Sequence, residues 1–205
     1  MRCSSVAKVG VYGGTFDPVH FGHLNLAIEM MEAHRLEEVW FCPAFQNPHK
    51  ADDPATSPEH RLRMLELAMA DIPGFRLLPM EIARGGPSYT IDTLETLLAK
   101  ERESANPRTL YLILGADAMP GFFQWHKAKL IVRLVSLLVG TRTSFDIQCL
   151  EGPPEICSAL QKGLTPIHIM DISSTDIRKR LQQGLYCGHL VPKKVLEYIK
   201  FHRLY

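Results

Sequence analysis

Short apolar runs alternate with amphipathic stretches along the chain, and this alternation predicts strands and helices in turn. Residues 6–12 form an apolar, valine-rich run that ends at two glycines, as a buried parallel strand does. Strands are predicted at residues 6–12, 39–42, 75–78, 110–114, 134–139 and 167–170. Helices are predicted at residues 22–31, 57–72, 90–102, 122–133, 155–162, 173–183 and 192–202.

This order of elements indicates an α/β fold, with a parallel sheet covered by helices on both faces. The chain has no internal repeat, low-complexity tract or long linker, so one domain over residues 1–205 is expected. In such sheets ligands bind beyond the carboxyl ends of the strands, near the change of strand order. The chemically unusual residues, 13–23, 43–50 and 115–125, follow the first, second and fourth predicted strands. The sequence therefore predicts a functional site at that edge of the sheet.

Composition excludes several classes of protein. With 46% hydrophobic and 22% charged residues, the 205-residue chain is neither disordered, collagen-like nor coiled coil. The formal net charge of +1 argues against nucleic-acid binding, which needs a surplus of basic side chains. No apolar run approaches the roughly 20 residues of a membrane span, and residues 1–8 do not resemble a signal peptide. Five scattered cysteines without C-x-x-C spacing favour reduced thiols, so a cytoplasmic protein is expected.

The link between the first strand and the first helix reads G-G-T-F-D-P-V-H-F-G-H. Gly13 and Gly14 allow close backbone approach, and the following helix N-terminus attracts an anion. His20 and His23 are three residues apart, so with His20 just before the first turn both rings can donate to one phosphate. The alternative is a glycine turn that carries two partly exposed histidines.

Residues 172–178 predict a second anion site. Ser173, Ser174 and Thr175 open a helix after a strand, so hydroxyls and backbone N–H groups converge there. Arg178 follows about one helical turn later. A plain serine-capped helix with a solvated arginine is the alternative.

The sequence G-G-T-F-D-P-V-H-x-G-H-L is similar to the motif of the H-x-G-H nucleotidyltransferase superfamily. Within that superfamily it resembles the motif of the bacterial nicotinate-nucleotide adenylyltransferases. The resemblance covers nearly the whole chain and continues at residues 47–50, 87–90, 114–117, 125–126, 172–178 and 191–205. It implies a single Rossmann-like α/β domain. It also implies transfer of the adenylyl group of ATP to nicotinate mononucleotide, which yields deamido-NAD (nicotinate adenine dinucleotide) and pyrophosphate in NAD biosynthesis.

The resemblance implies a role for each matching residue, with His20 and His23 as the catalytic pair. The residues implied in ATP binding are Gly13, Gly14, Thr15, Phe16, His20, His23, Lys50, Gly115, Ser173, Ser174, Thr175 and Arg178. Those implied in binding the nicotinate nucleotide are Ser88, Tyr89, Thr90, Asp117, Trp125 and His126. Mg²⁺ would enter bound with ATP and keep mostly water ligands, so no protein metal site is expected.

Three alternatives stay open. The first is another H-x-G-H nucleotidyltransferase, with nicotinamide mononucleotide or pantetheine phosphate as acceptor. The second is a metal hydrolase that uses His20 and His23 as ligands, although no third ligand and no H-E-x-x-H lie nearby. The third is a regulator that binds ATP without turning it over. Asp17, His49 and Arg142 receive no assigned role.

Overall fold

Six parallel strands form one sheet in the structure, a computed structural model that describes residues 6–48, 55–141 and 152–205. The strands are β1 (Lys8–Gly14), β2 (Glu38–Pro43), β3 (Phe75–Leu77), β4 (Thr109–Gly115), β5 (Ser136–Thr141) and β6 (Leu164–Pro166). Their order across the sheet is β3-β2-β1-β4-β5-β6, and every neighbouring pair is parallel. The predicted α/β class with a parallel sheet is confirmed.

Helices cover both faces of this sheet, as predicted. They are α1 (Phe21–His34), α2 (Pro58–Met69), α3 (Met80–Arg84), α4 (Thr90–Glu103), α5 (Met119–Phe122), α6 (Ala128–Leu134), α7 (Pro154–Gly163), α8 (Ser174–Gln182) and α9 (Lys193–His202). Buried side chains of α1, α2, α8 and α9 form a core on one face, and those of α4 to α7 form a core on the other. Across the described residues, no helix combines the length and apolar character needed to cross a membrane.

The strand order reverses direction between β1 and β4. From β1 the chain proceeds outward to β2 and β3, and then returns to place β4 on the other side of β1. In a sheet of this kind, the crossovers on the two sides leave a crevice at the carboxyl ends of the central strands. The glycines that end β1 and β4 lie at this crevice: Gly13, Gly14 and Gly115.

The prediction of a sixth strand at residues 167–170 is wrong, because β6 is Leu164–Pro166 and pairs with β5. The last ladder bond runs from the N–H of Ile167 to the carbonyl of Thr141. Beyond it the chain lies along α1, where Asn25 and Glu29 bind the backbone of His168. The alternating apolar pattern that predicted a strand comes from contact with this helix and the cleft.

The helix predicted at residues 122–133 is broken into α5 and α6, which is a second correction. Lys127 adopts the left-handed conformation, with φ at 53°, and separates the two helices. The short helix α3 was not predicted, because five residues are too few to show a helical period.

Serine residues precede the first turns of α2 and α8, as predicted for α8 at Ser173. Ser57 and Ser173 occupy the N-cap positions, yet neither side chain makes a cap hydrogen bond. At α2, Pro58 holds the first helical position, where its fixed φ and missing N–H are no disadvantage.

Arg61 of α2 is a buried guanidinium that joins the loops at the carboxyl edge of the sheet. Its Nη1 donates to the carbonyls of Thr15 and Ala44, at 2.9 and 2.6 Å. Its Nε donates to Thr56 at 2.8 Å, and its Nη2 to Phe45 at 3.1 Å. One side chain therefore holds together the loop after β1, the loop after β2 and the segment before α2.

We expect Arg61→Met to lower the free energy of unfolding by about 3–5 kcal/mol, because four carbonyl oxygens lose their donor inside the protein. Urea unfolding measures this change. Arg63→Met is the matched control on the same helix, since Arg63 is exposed and pairs with Glu66 at the surface, and it should cost less than about 1 kcal/mol. Equal losses in both variants would contradict the account of Arg61.

Candidate active site

A cleft of about 1330 Å³ opens at the carboxyl edge of the sheet. This volume exceeds what a drug-sized ligand needs. The cleft is lined by every predicted site residue that the structure describes: Gly13, Gly14, Thr15, Phe16, His20, His23, Ser88, Tyr89, Thr90, Gly115, Asp117, Trp125, His126, Ser173, Ser174, Thr175 and Arg178. Lys50, His49 and Arg142 lie outside the described residues.

His20 and His23 cap the N-terminus of α1 reciprocally. His20 is the N-cap residue, and its Nδ1 accepts the backbone N–H of His23 at 3.4 Å. The Nδ1 of His23 accepts the backbone N–H of His20 at 3.2 Å. The two rings stack with their centroids 3.6 Å apart. This is a capping box built from two imidazoles, and the predicted placement of His20 just before the first turn is confirmed.

The cap determines which ring nitrogen carries the proton. An Nδ1 that accepts an N–H bond is unprotonated, so each neutral ring carries its hydrogen on Nε2. Burial lowers the pKa of His20 to about 4. Burial, and to a lesser degree the neighbouring His20, lowers the pKa of His23 well below its ordinary value. At neutral pH the pair is therefore uncharged and offers two Nε2–H donors.

Gly22 and Phe16 support the two rings. A Cβ at Gly22 would lie 3.0 Å from the Nδ1 of His20 and 3.3 Å from the carbonyl oxygen of Met170. A Cβ there would be a tight contact that the His20 ring could relieve only by moving a few tenths of an ångström, so the glycine of H-x-G-H leaves the ring in place. Phe16 is fully buried and meets His23 edge-on, with ring centroids 5.0 Å apart. Sequence reasoning missed this role of Gly22, although glycine in the first turn of a helix is a signal for it.

The start of α8 is bonded directly to the glycine-rich loop. The Ser174 hydroxyl donates to the carbonyl of Pro18, and Arg178 Nη1 donates to that of Asp17, both at 2.9 Å. Helices α1 and α8 present two positive helix ends to one cleft, although Phe21 and His23 of α1 already donate their N–H groups to Leu190 and His20. The structure thus brings the two predicted anion sites together. Since Ser174 donates its hydroxyl to Pro18, what it offers an anion is its backbone N–H.

The residues predicted to hold the nicotinate nucleotide line another part of the cleft. Ser88 connects this part to the loop after β2: its hydroxyl accepts the N–H of Phe45 at 2.9 Å. Tyr89 and His126 lie ring to ring, with centroids 4.7 Å apart. Trp125 is half-buried, packs on Phe122 and lines the cleft, so it is more than a core residue.

Asp117 folds back over Gly115, where a Cβ would lie in steric conflict with its Oδ1. Sequence reasoning missed three buried polar groups of the cleft, Tyr12, Arg61 and Glu81, and assigned no role to a fourth, Asp17. Burial and the charge of Asp117 raise the pKa of Tyr12, so its phenol keeps its proton. Glu81 accepts the hydroxyl of Thr93 at 2.6 Å. Only Asp17 lies in a recognisable motif, which is why the others gave no signal in the sequence.

Comparisons with known proteins indicate the family to which the chain belongs. The family model described as cytidylyltransferase-like matches residues 11–180. A relative from Roseiflexus sp. is 42% identical over 203 residues, which cover 98% of this chain and 99% of the relative. A relative from Dehalococcoides mccartyi is 40% identical over 203 residues, which cover 97% of each chain. Both bear the name "Probable nicotinate-nucleotide adenylyltransferase".

The chain belongs to the nicotinate-nucleotide adenylyltransferase family. Members of this family are nucleotidyltransferases. A structure of Plasmodium falciparum nicotinic acid mononucleotide adenylyltransferase complexed with NaAD superposes with a TM-score of 0.76 over 97% of both chains. A second structure of that protein, complexed with APC, also gives 0.76. Both are 21% identical to this chain, and they confirm the Rossmann-like fold.

We expect the free energy of unfolding of this family member to fall as the pH drops from 6.5 towards 4, because the pKa of His20 is lowered in the folded state. The unfolded chain takes up a proton near pH 6.5 and the folded chain only near pH 4, so the contribution of His20 is complete above 6.5 and is lost below it. The expected loss for this side chain is about 1.4 kcal/mol per pH unit.

Urea unfolding of the wild type, His20→Asn and His189→Asn at pH 7 and pH 5 tests this. Asparagine keeps an acceptor for the helix cap, so His20→Asn should lose about 2 kcal/mol less than the wild type between the two pH values. His189 is exposed, and its replacement should leave the pH dependence as it is. An unchanged dependence in His20→Asn would show that the ring takes up its proton freely.

Proposed function

We propose that the whole chain acts as one nucleotidyltransferase domain, which transfers the adenylyl group of ATP to nicotinate mononucleotide. The products are deamido-NAD and pyrophosphate, and the reaction is a step of NAD biosynthesis. Family membership supports this proposal. The observation that carries it is the pair of uncharged Nε2–H donors on His20 and His23, at a helix N-terminus in a cleft large enough for both substrates.

The chemistry needs placement and charge stabilisation rather than a general base. The 5′-phosphate of the mononucleotide is already ionised, and one of its oxygens attacks the α-phosphorus of ATP in line. A new P–O bond forms there, while the bond from the α-phosphorus to the bridging oxygen breaks and releases pyrophosphate. Negative charge builds on the α-phosphate oxygens and on the leaving group, where His20 and His23 would donate.

The ATP side of the cleft combines neutral donors, helix ends and cations. The N-termini of α1 and α8 and the guanidinium of Arg178 would hold the triphosphate. Lys50 would add a further cation, and this role stays a prediction from the sequence. A divalent cation accompanies ATP as part of that substrate, and we propose Mg²⁺, which keeps several of its waters.

The acceptor side suits a carboxylate. Helix α4 begins at Thr90, and Tyr89 before it makes no side-chain cap, so the first N–H groups of α4 are available to an anion. The carboxylate of nicotinate only accepts hydrogen bonds, so it suits these N–H groups. The carboxamide of nicotinamide carries an NH₂ group, whose two N–H donors would face the N–H donors of the protein. Trp125 would offer a flat face to the pyridine ring.

We also propose that the protein acts in the cytoplasm and has no nucleic-acid partner. Cys42 and Cys187 are buried free thiols, as a reducing compartment favours. The nearly balanced charge supports small-molecule substrates.

We expect nicotinate mononucleotide to be used far better than nicotinamide mononucleotide, with a ratio of kcat/KM of up to about 10⁴, because a site of donors rejects a group that leaves them unpaired. The assay incubates the protein with Mg-ATP and either mononucleotide and identifies the dinucleotide and pyrophosphate formed.

Three results would contradict the proposal. Equal kcat/KM for the two mononucleotides would remove the preference. Pyrophosphate release with pantetheine phosphate alone would indicate another nucleotidyltransferase. Binding of ATP without any pyrophosphate release would indicate a regulator.

A further inference from the structure

The last residue of the sequence lies against the glycine-rich loop. Helix α9 ends with Arg203 in the left-handed conformation, with φ at 53°, and Leu204 donates its N–H to the carbonyl of Ile199 at 3.0 Å. This turn reverses the chain and packs Leu204 against the core on the α9 face of the sheet. Tyr205 is thereby carried to the loop after β1.

The Tyr205 hydroxyl donates to the Asp17 carboxylate, and their oxygens are 2.5 Å apart. Burial and the charge of Asp17 raise the pKa of Tyr205, so the phenol keeps the proton that it donates. The other carboxylate oxygen of Asp17 accepts the N–H of Thr56 at 3.0 Å. Tyr205, Asp17 and Thr56 therefore form one network that connects three distant parts of the chain.

Asp17 is 4% exposed and lies three residues before His20. The stretch between them is held on both sides: Val19 is fully buried, and the carbonyl of Pro18 accepts the Ser174 hydroxyl. Only Pro18 and Val19 separate Asp17 from His20, so the hydrogen bonds of Asp17 help to fix the backbone that carries the His20 ring. Arg61 balances the charge of the buried Asp17 carboxylate. The two groups lie close enough for the charge of Asp17 to act on the pKa of Arg61.

On the basis of the proposed adenylyl transfer, we propose that Tyr205 is a positioning residue: its hydroxyl, acting through Asp17, sets where the loop holds His20 against the phosphates of ATP. It touches neither substrate nor reacting atoms in this role. The hydroxyl is the part that matters, because the aromatic ring alone can fill the same space without holding the carboxylate.

Tyr205→Phe removes only the hydroxyl and tests this inference. We expect kcat to fall about tenfold, since a small displacement of a group that acts on the transition state lowers the rate strongly. The KM for ATP should change less than about twofold, and the melting temperature should fall by only a few degrees, as the loss of one buried hydrogen bond to a carboxylate requires. Tyr198→Phe is the matched control, because Tyr198 also lies near the end of the chain but binds His60 of α2, at 2.8 Å. It should keep the wild-type kcat.

Hydrogen exchange supplies a readout that does not depend on activity. Amides of residues 13–24 should exchange faster in Tyr205→Phe than in the wild type, and Tyr198→Phe should leave them unchanged. A double-mutant cycle with Asp17→Asn tests the route: Tyr205→Phe should lower kcat no further once the carboxylate is gone.

The outcomes separate this inference from the function on which it rests. A wild type that forms no dinucleotide overturns the proposed function, while the exchange experiment still decides whether Tyr205 holds the loop. An active wild type with an unchanged kcat and exchange rate in Tyr205→Phe overturns the inference alone. Equal losses of kcat and melting temperature in Tyr205→Phe and Tyr198→Phe would show that both phenols only stabilise the fold, which also overturns it.

Discussion

The exchange of hydrogen bonds between His20 and His23 is the constraint on which the rest of the site depends. Each Nδ1 receives a backbone N–H at the start of α1, so the proton of each ring must be on Nε2. Burial keeps both rings neutral. The same two bonds therefore begin the helix and produce a pair of N–H donors. Neither ring needs to gain or lose a proton during the reaction. Gly22 leaves room for this arrangement, because a Cβ there would lie only 3.0 Å from the Nδ1 of His20.

Buried charges hold the loops that carry this pair. The guanidinium of Arg61 and the carboxylate of Asp17 are almost inaccessible, and burial of either alone would be strongly unfavourable. Hydrogen bonds to loop carbonyls and amides compensate for that burial, so the charges act as anchors for irregular backbone. Irregular loops at the carboxyl edge of the sheet thus acquire the fixed geometry that in-line transfer demands.

Local patterns made most of the fold and much of the site predictable. Apolar runs predicted five of the six strands with nearly correct bounds. Residues 13–23 predicted a helix N-terminus that carries two histidines. The sixth strand was misplaced because residues 167–170 alternate while lying on α1, and such a segment has the same pattern as a strand. The anchors were not predictable: Asp17 and Tyr205 are 188 positions apart, and only the folded chain brings them together.

The most direct test of the donor role is the kcat of His20→Asn. Asparagine keeps an oxygen that can cap α1, but its side chain is too short to place a donor where Nε2 lies. The account predicts a kcat about 10²–10³ times lower than that of the wild type, because a donor to the developing charge is lost. It also predicts a melting temperature at pH 7.5 close to that of the wild type. A kcat within about twofold of the wild type, in a folded variant, would contradict it.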